Sequence, residues 1–150
     1  MLDYQKLLNF FDEYISHYRE LLRFETEKLR LIAEDDLKGL ENCIGREQAL
    51  VMKTNAFEKK RLELMPKEKT FKAIIDEAPI EFKAQLEARY LDLSRAVLKV
   101  KEINDSAKDV ITKKLAFIER AMNGTSSQTY DKSGAKSASK GVFASLDKDV

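Results

Sequence analysis

Across residues 2–33 the apolar positions Tyr4, Leu8, Phe11, Ile15, Tyr18, Leu22, Leu29 and Ile32 recur at alternating intervals of four and three, with Glu25 as the charged member of the row. That spacing keeps returning a side chain to one face of an α-helix and predicts a heptad seam. Leu7, Tyr14 and Leu21 add a row one position ahead of it, widening the stripe to what a helix buries against two neighbours. Glu34, Asp35 and Asp36 then end the pattern and place carboxylates where the free N–H groups of a following helix need them, so a tight antiparallel turn is predicted. A second helix over about 37–65 carries Leu37, Leu40, Ile44, Leu50, Val51, Phe57 and Leu64 on a less regular stripe. Gly39 and Gly45 each cost it about 1 kcal/mol against alanine, and Pro66 stops it.

A short helical turn is predicted near 70–77, with Thr70 as its cap and Phe71, Ile74 and Ile75 turned inward. Pro79 is expected as the first residue of a third long helix, 79–122, where its missing N–H costs nothing. Phe82, Leu86, Leu93, Ala96, Val100, Ile103, Ala107, Val110, Phe117 and Ala121 hold the four-three spacing there, interrupted by Arg89 and Lys114. Tyr90, Val97, Asn104, Ile111 and Ile118 form a flanking row at intervals of seven. Asn123 and Gly124 suggest a left-handed helix end.

The pattern predicts an all-α, antiparallel three-helix, coiled-coil-like bundle over residues 1–122. A flexible C-terminal tail is expected over 123–150, because residues 125–141 are small and polar and lack the apolar groups a core requires. Val142, Phe143, Leu146 and Val150 return to helical spacing, predicting a short amphipathic segment near 142–150. Composition agrees with this class. In 150 residues there are 5 Gly and 2 Pro, with 43% apolar and 35% charged residues, too little Gly and Pro for a loop-rich β fold.

Length arithmetic adds a functional expectation. At 1.5 Å per residue the first two helices span roughly 45–48 Å and the third roughly 65 Å. The third therefore overhangs by about 15–20 Å, most simply through its C-terminal part, residues 110–122. Phe117 and Ile118 would lack a partner there, forgoing about 1.5–3 kcal/mol each in water. The tail, a second copy or a foreign helix laid on the strip would relieve that.

Charge and chemistry narrow the classes. Twenty-seven Lys and Arg balance 26 Asp and Glu, a formal +1, so no net field favours nucleic acid or anionic membrane. The basic run over residues 59–72 is diluted by Glu63 and Glu68 and reads as a solvated helix end. One cysteine, Cys43, cannot form an internal disulfide, and the N-terminus lacks a secretory core, which makes a cytoplasmic location the expectation. No run of about 20 apolar residues is present to insert in a membrane. The five glycines are scattered, so no phosphate cradle is formed. The lone His17, with Glu13 and Glu20 one turn to either side, lacks the second Glu-x-x-His helix of a di-metal bundle. No enzyme activity, metal or cofactor is expected. A helical metal protein on these three residues and a nucleic-acid binder on the basic run are the minority readings.

Three stretches resemble the FlgN family of flagellar type III export chaperones. Residues 21–64 are similar to that family's long helix, acidic break and second helix. KVKEINDSAKDVITKKLAFIERAMN, with Asn104 ahead of an amphipathic run, resembles its third helix, and TYDKSG, with Tyr130 and Gly134, resembles a short element after it. The resemblance implies a chaperone that holds the C-terminal helices of hook-filament junction proteins and delivers them to a membrane protein of the export gate. It points to Val110, Ile111, Phe117, Ile118, Val142, Phe143 and Leu146 as cargo-binding residues and to Tyr130 as a contact with the gate. A homodimer through the same strip, acting as an adaptor or structural coiled coil, is the alternative.

Overall fold

The computed structural model describes residues 2–124, which form four helices: α1 (Tyr4–Ala33), α2 (Leu37–Leu64), α3 (Phe71–Glu77) and α4 (Ile80–Asn123). No strand occurs among the described residues. The tail expected over 123–150 lies outside them beyond Gly124, and with it Tyr130, Val142, Phe143 and Leu146.

Local chemistry sets the helix ends. Asp3 accepts from the Lys6 N–H at the start of α1, Asp36 from the Gly39 N–H at the start of α2, and Thr70 from the Ala73 N–H at the start of α3. Each cap satisfies an N–H that has no partner inside its helix. The α1–α2 turn closes through Asp35 at φ 56°, a left-handed conformation that Asp adopts more readily than most residues. Two expectations about α4 are corrected. Pro79 sits outside the helix with ψ 149° as its N-cap, and its carbonyl accepts from Phe82 and Lys83. Gly124 is right-handed, at φ −77° and ψ −13°.

Cross-helix pairs fix the directions. Lys28–Glu47, Lys53–Glu20 and Lys60–Glu13 pair α1 with α2 in opposite senses, at 2.5, 3.1 and 3.1 Å. Tyr4 stacks on Phe82 at 5.7 Å, Arg89 meets Asp12 at 3.1 Å, and Lys114 meets Asp35 at 2.6 Å. These partners advance together, so α4 runs parallel to α1. No Cα of α2 comes within 8 Å of a Cα of α4. The architecture is two helix pairs that share α1, rather than three seams closing on one another.

Burial along α1 shows why it can serve two neighbours. Besides the two anticipated rows, Phe10, His17, Phe24 and Leu31 are buried at intervals of seven, a third row that meets α2. Phe10 and Tyr14 pack on Phe57 at 6.2 and 5.0 Å. Phe11 packs on Phe71 at 4.8 Å, so α3 closes this end of the molecule. By contrast, α2 buries only Cys43, Leu50 and Thr54. It is held by a single stripe.

A candidate apolar groove at the hairpin end

The last fully buried residue of α4 is Ala107; nothing from Lys108 to Gly124 reaches the core. Since Lys114 stands beside Asp35, α4 has kept pace with α1 up to the interhelical turn. The true overhang therefore begins near Leu115 and leaves nine residues to Asn123, about 13 Å at 1.5 Å each. That is shorter than the expected 110–122, and the reason is register: Phe82, rather than Pro79, is level with Tyr4.

The overhang does not stand alone. Because α2 and α4 flank α1 without touching, a groove of about 720 Å³ opens between them at the hairpin end. Its floor is Ile32 with Cys43, one wall is Leu37, Leu40 and Ile44 of α2, and the other is Ile111 and Leu115 of α4. Leu37 is 76% exposed and Ile44 58%. A smaller hollow beside it, about 380 Å³, is lined by Asp35, Lys113, Lys114, Phe117 and Ile118. Phe117 is 72% exposed and Ile118 42%.

Thus Ile111, Phe117 and Ile118 fall in this region, while Val110 is half-buried on the same turn and lines neither hollow. Tyr130, Val142, Phe143 and Leu146 lie outside the described residues. The α2 wall was missed. Leu37 and Ile44 read as seam residues together with Leu40, Leu50, Val51, Phe57 and Leu64, but only those five are buried or pack on the core, with Cys43 and Thr54 buried beside them, while Leu37 and Ile44 stay exposed. Leu37 and Ile44 are seven apart and off that stripe. This separate apolar row was the available signal.

Charged side chains, Lys28, Asp35, Glu41, Glu47 and Lys114, also line the groove. Lys114 bridges Asp35 and the Ala33 carbonyl, at 2.6 and 3.3 Å, and Lys28 engages Glu47 at 2.5 Å. Glu25 lies one turn inside Lys28, 1% exposed, with neither carboxylate oxygen hydrogen-bonded and the Lys28 Nζ at 4.0 Å. Burial pushes its carboxyl up to about 7, against the opposing pull of Lys28.

His17 is also interior. Thr54 donates its hydroxyl to the Leu50 carbonyl at 2.9 Å, so at the 2.6 Å contact between them the imidazole Nε2–H is the donor to Thr54. Nδ1 has no hydrogen-bond partner. Burial, with Lys53 adding to it, pushes the ring down to about 4. Glu13 and Glu20 turn outward to Lys60 and Lys53, so the three residues do not converge on a point a metal could occupy. Among the described residues no group of three His, Cys, Asp or Glu side chains is arranged as a metal site, and no helix is long and apolar enough to cross a membrane.

What the hairpin end can do chemically is remove apolar surface from water. A family model described as FlgN protein matches residues 1–138. The span includes Tyr130 and the whole groove, and it stops short of Val142, Phe143 and Leu146. No curated protein and no solved structure matches the chain.

Proposed function

The chain belongs to the FlgN family of flagellar export chaperones, and from that membership we propose that its cargo is the C-terminal helical segment of a hook-filament junction protein. The groove is the single observation that supports this most directly. A cargo helix laid between α2 and α4 would cover Leu37, Ile44, Ile111, Phe117 and Ile118, with Val110 at its edge. An amphipathic helix reads such a channel through anchors three and four residues apart. Each large anchor contributes about 1.5–3 kcal/mol on burial. While the cargo's apolar stripe is occupied it cannot pair with other subunits, and this masking prevents early assembly.

Delivery is to a membrane protein of the export gate, with Tyr130 as the contact and the cytoplasm as the working compartment. No cofactor or nucleic acid enters this mechanism. Because affinity comes from apolar area rather than from ion pairs, it should change little with added salt.

The test is substitution of the exposed strip. Phe117→Asp and Ile118→Asp should each abolish capture of a junction protein's C-terminal segment in pull-down, with unchanged helical circular dichroism, since neither side chain supports the core. Normal capture by both would reject the groove as the cargo site. The same exposed strip favours one competing reading, a dimeric adaptor or structural coiled coil. Sedimentation separates the two: a tight dimer indifferent to cargo would replace the chaperone mechanism.

A further inference from the structure

The groove is short. Along α2 its lining runs from Leu37 to Gln48, about 18 Å at 1.5 Å per residue. Residues 142–150 of this same chain would measure about 13 Å as a helix. In that form Val142, Phe143, Leu146 and Val150 fall on one stripe, at offsets of one, four and eight, with Lys148 on the opposite face. We propose that in the cargo-free protein this segment docks in the groove between α2 and α4, so that cargo must displace it.

Reach supports an occupant from the same molecule. From Gly124 the chain must return past nine residues of α4 to lie beside Leu115 and past thirteen to lie beside Ile111, about 13–20 Å at 1.5 Å each. The intervening residues 125–141 are rich in Ser, Gly, Ala and Lys, and a flexible linker of that length would span about 21–25 Å at 5–6 Å times the square root of its number of residues. A linker matched to its span gives an effective concentration in the millimolar range. A second copy at micromolar concentration cannot compete with that.

The segment lies beyond the family match, which ends at residue 138. The docking stands on the groove alone; its regulatory meaning rests on the cargo reading above. Cargo then binds only the fraction of molecules with the groove open, and its apparent affinity falls in proportion.

The test uses the full chain with Cys43→Ser and a nitroxide on Lys148→Cys, on the outward face of the proposed helix. Methyl signals of Ile44, Ile111 and Leu115 should lose at least half their intensity, and those of Leu86 at the far end none, at two protein concentrations tenfold apart. Undiminished groove signals would overturn the proposal, and so would losses that vanish on dilution, which would make a second copy the occupant. Phe143→Asp with Leu146→Asp should restore the groove signals and tighten capture of a junction protein's C-terminal segment three- to tenfold. Weaker capture would show that the segment helps to hold cargo and would overturn the competition. Restored signals with no capture in either form would sustain the docking and reject the junction-protein cargo.

Discussion

The two ends of this molecule are built from the same three long helices and treat apolar surface in opposite ways. At the N-terminal end of α1, Phe10, Phe11, Tyr14 and Tyr18 are all at most 1% exposed, and α3 folds across so that Phe71 meets both Phe11 and Tyr90. At the hairpin end the side chains are mostly aliphatic, no short helix among the described residues closes the gap, and there Leu37, Ile44 and Phe117 are exposed. What differs is whether a third element covers the channel left by two helices that flank a central one. One end is finished as a core, and the other is left as an interface.

The largest effect should come from breaking the finished end. Phe11→Ala removes a ring that packs on Phe71 at 4.8 Å, and large-to-small changes of this kind cost about 3–5 kcal/mol. Against a total of about 5–15 kcal/mol for a domain this should lower the midpoint of urea unfolding sharply. At the open end Phe117→Asp should leave that midpoint within about 0.5 kcal/mol. Equal losses at both positions would dissolve the contrast.

Much of this was legible in the sequence because α1 and the first two-thirds of α4 obey a strict apolar period, which fixes their class, extent and inward face. The α2 stripe was legible in part: Leu40, Leu50, Val51, Phe57 and Leu64 are buried or pack against the core, whereas Leu37 and Ile44 are exposed. The rest was hidden for a physical reason, since the row facing α1 also includes Glu47 and Thr54, which meet Lys28 and His17, and hydrophobicity alone does not separate that row from Leu37 and Ile44. The overhang was foreseen in sense but not in length, since length arithmetic carries no register. That α2 and α4 do not touch follows from the third row on α1, Phe10, His17, Phe24 and Leu31, in which the histidine masked the period.

Glu25, sealed between the two ends, gives the next effect. Its carboxyl is raised from 4.5 to about 7, so between those values the folded protein holds a proton that the unfolded chain has released, and stability falls as pH rises through this window. The full cost above pH 7 is about 3 kcal/mol, at 1.36 kcal/mol per pH unit. His17 acts oppositely. Lowered from 6.5 to about 4, it stays neutral in the fold while the unfolded chain takes up a proton below 6.5, so it makes stability rise with pH between about 4 and 6.5. The two slopes offset one another where they overlap. Glu25→Gln should therefore leave stability at pH 5 nearly unchanged, raise it at pH 8 by about 1–3 kcal/mol, and expose the histidine's rising slope in urea titrations from pH 4 to 7. A stability profile unaltered by this substitution would mean that Glu25 is hydrated and that the interior between the ends is open to water.

The smallest effect probes how loosely α2 is held beside the groove. Its two glycines stand six residues apart in different surroundings. A Cβ on Gly45 would meet nothing within 4 Å, whereas one on Gly39 would lie 2.8 Å from both the capping Asp36 Oδ2 and the Leu31 Cδ2. Gly45→Ala should therefore gain the helix-propensity difference alone, about 1 kcal/mol, and slow amide exchange in the neighbouring turns of α2. Gly39→Ala gains the same propensity but must displace the cap, whose loss costs about 0.5–2 kcal/mol, or push Leu31 out of its packing, so its net effect should be zero or destabilising. If Gly45→Ala were as costly as Gly39→Ala, the α2 wall would be pressed against something at residue 45, and the open end would be more closed than its exposed Ile44 implies.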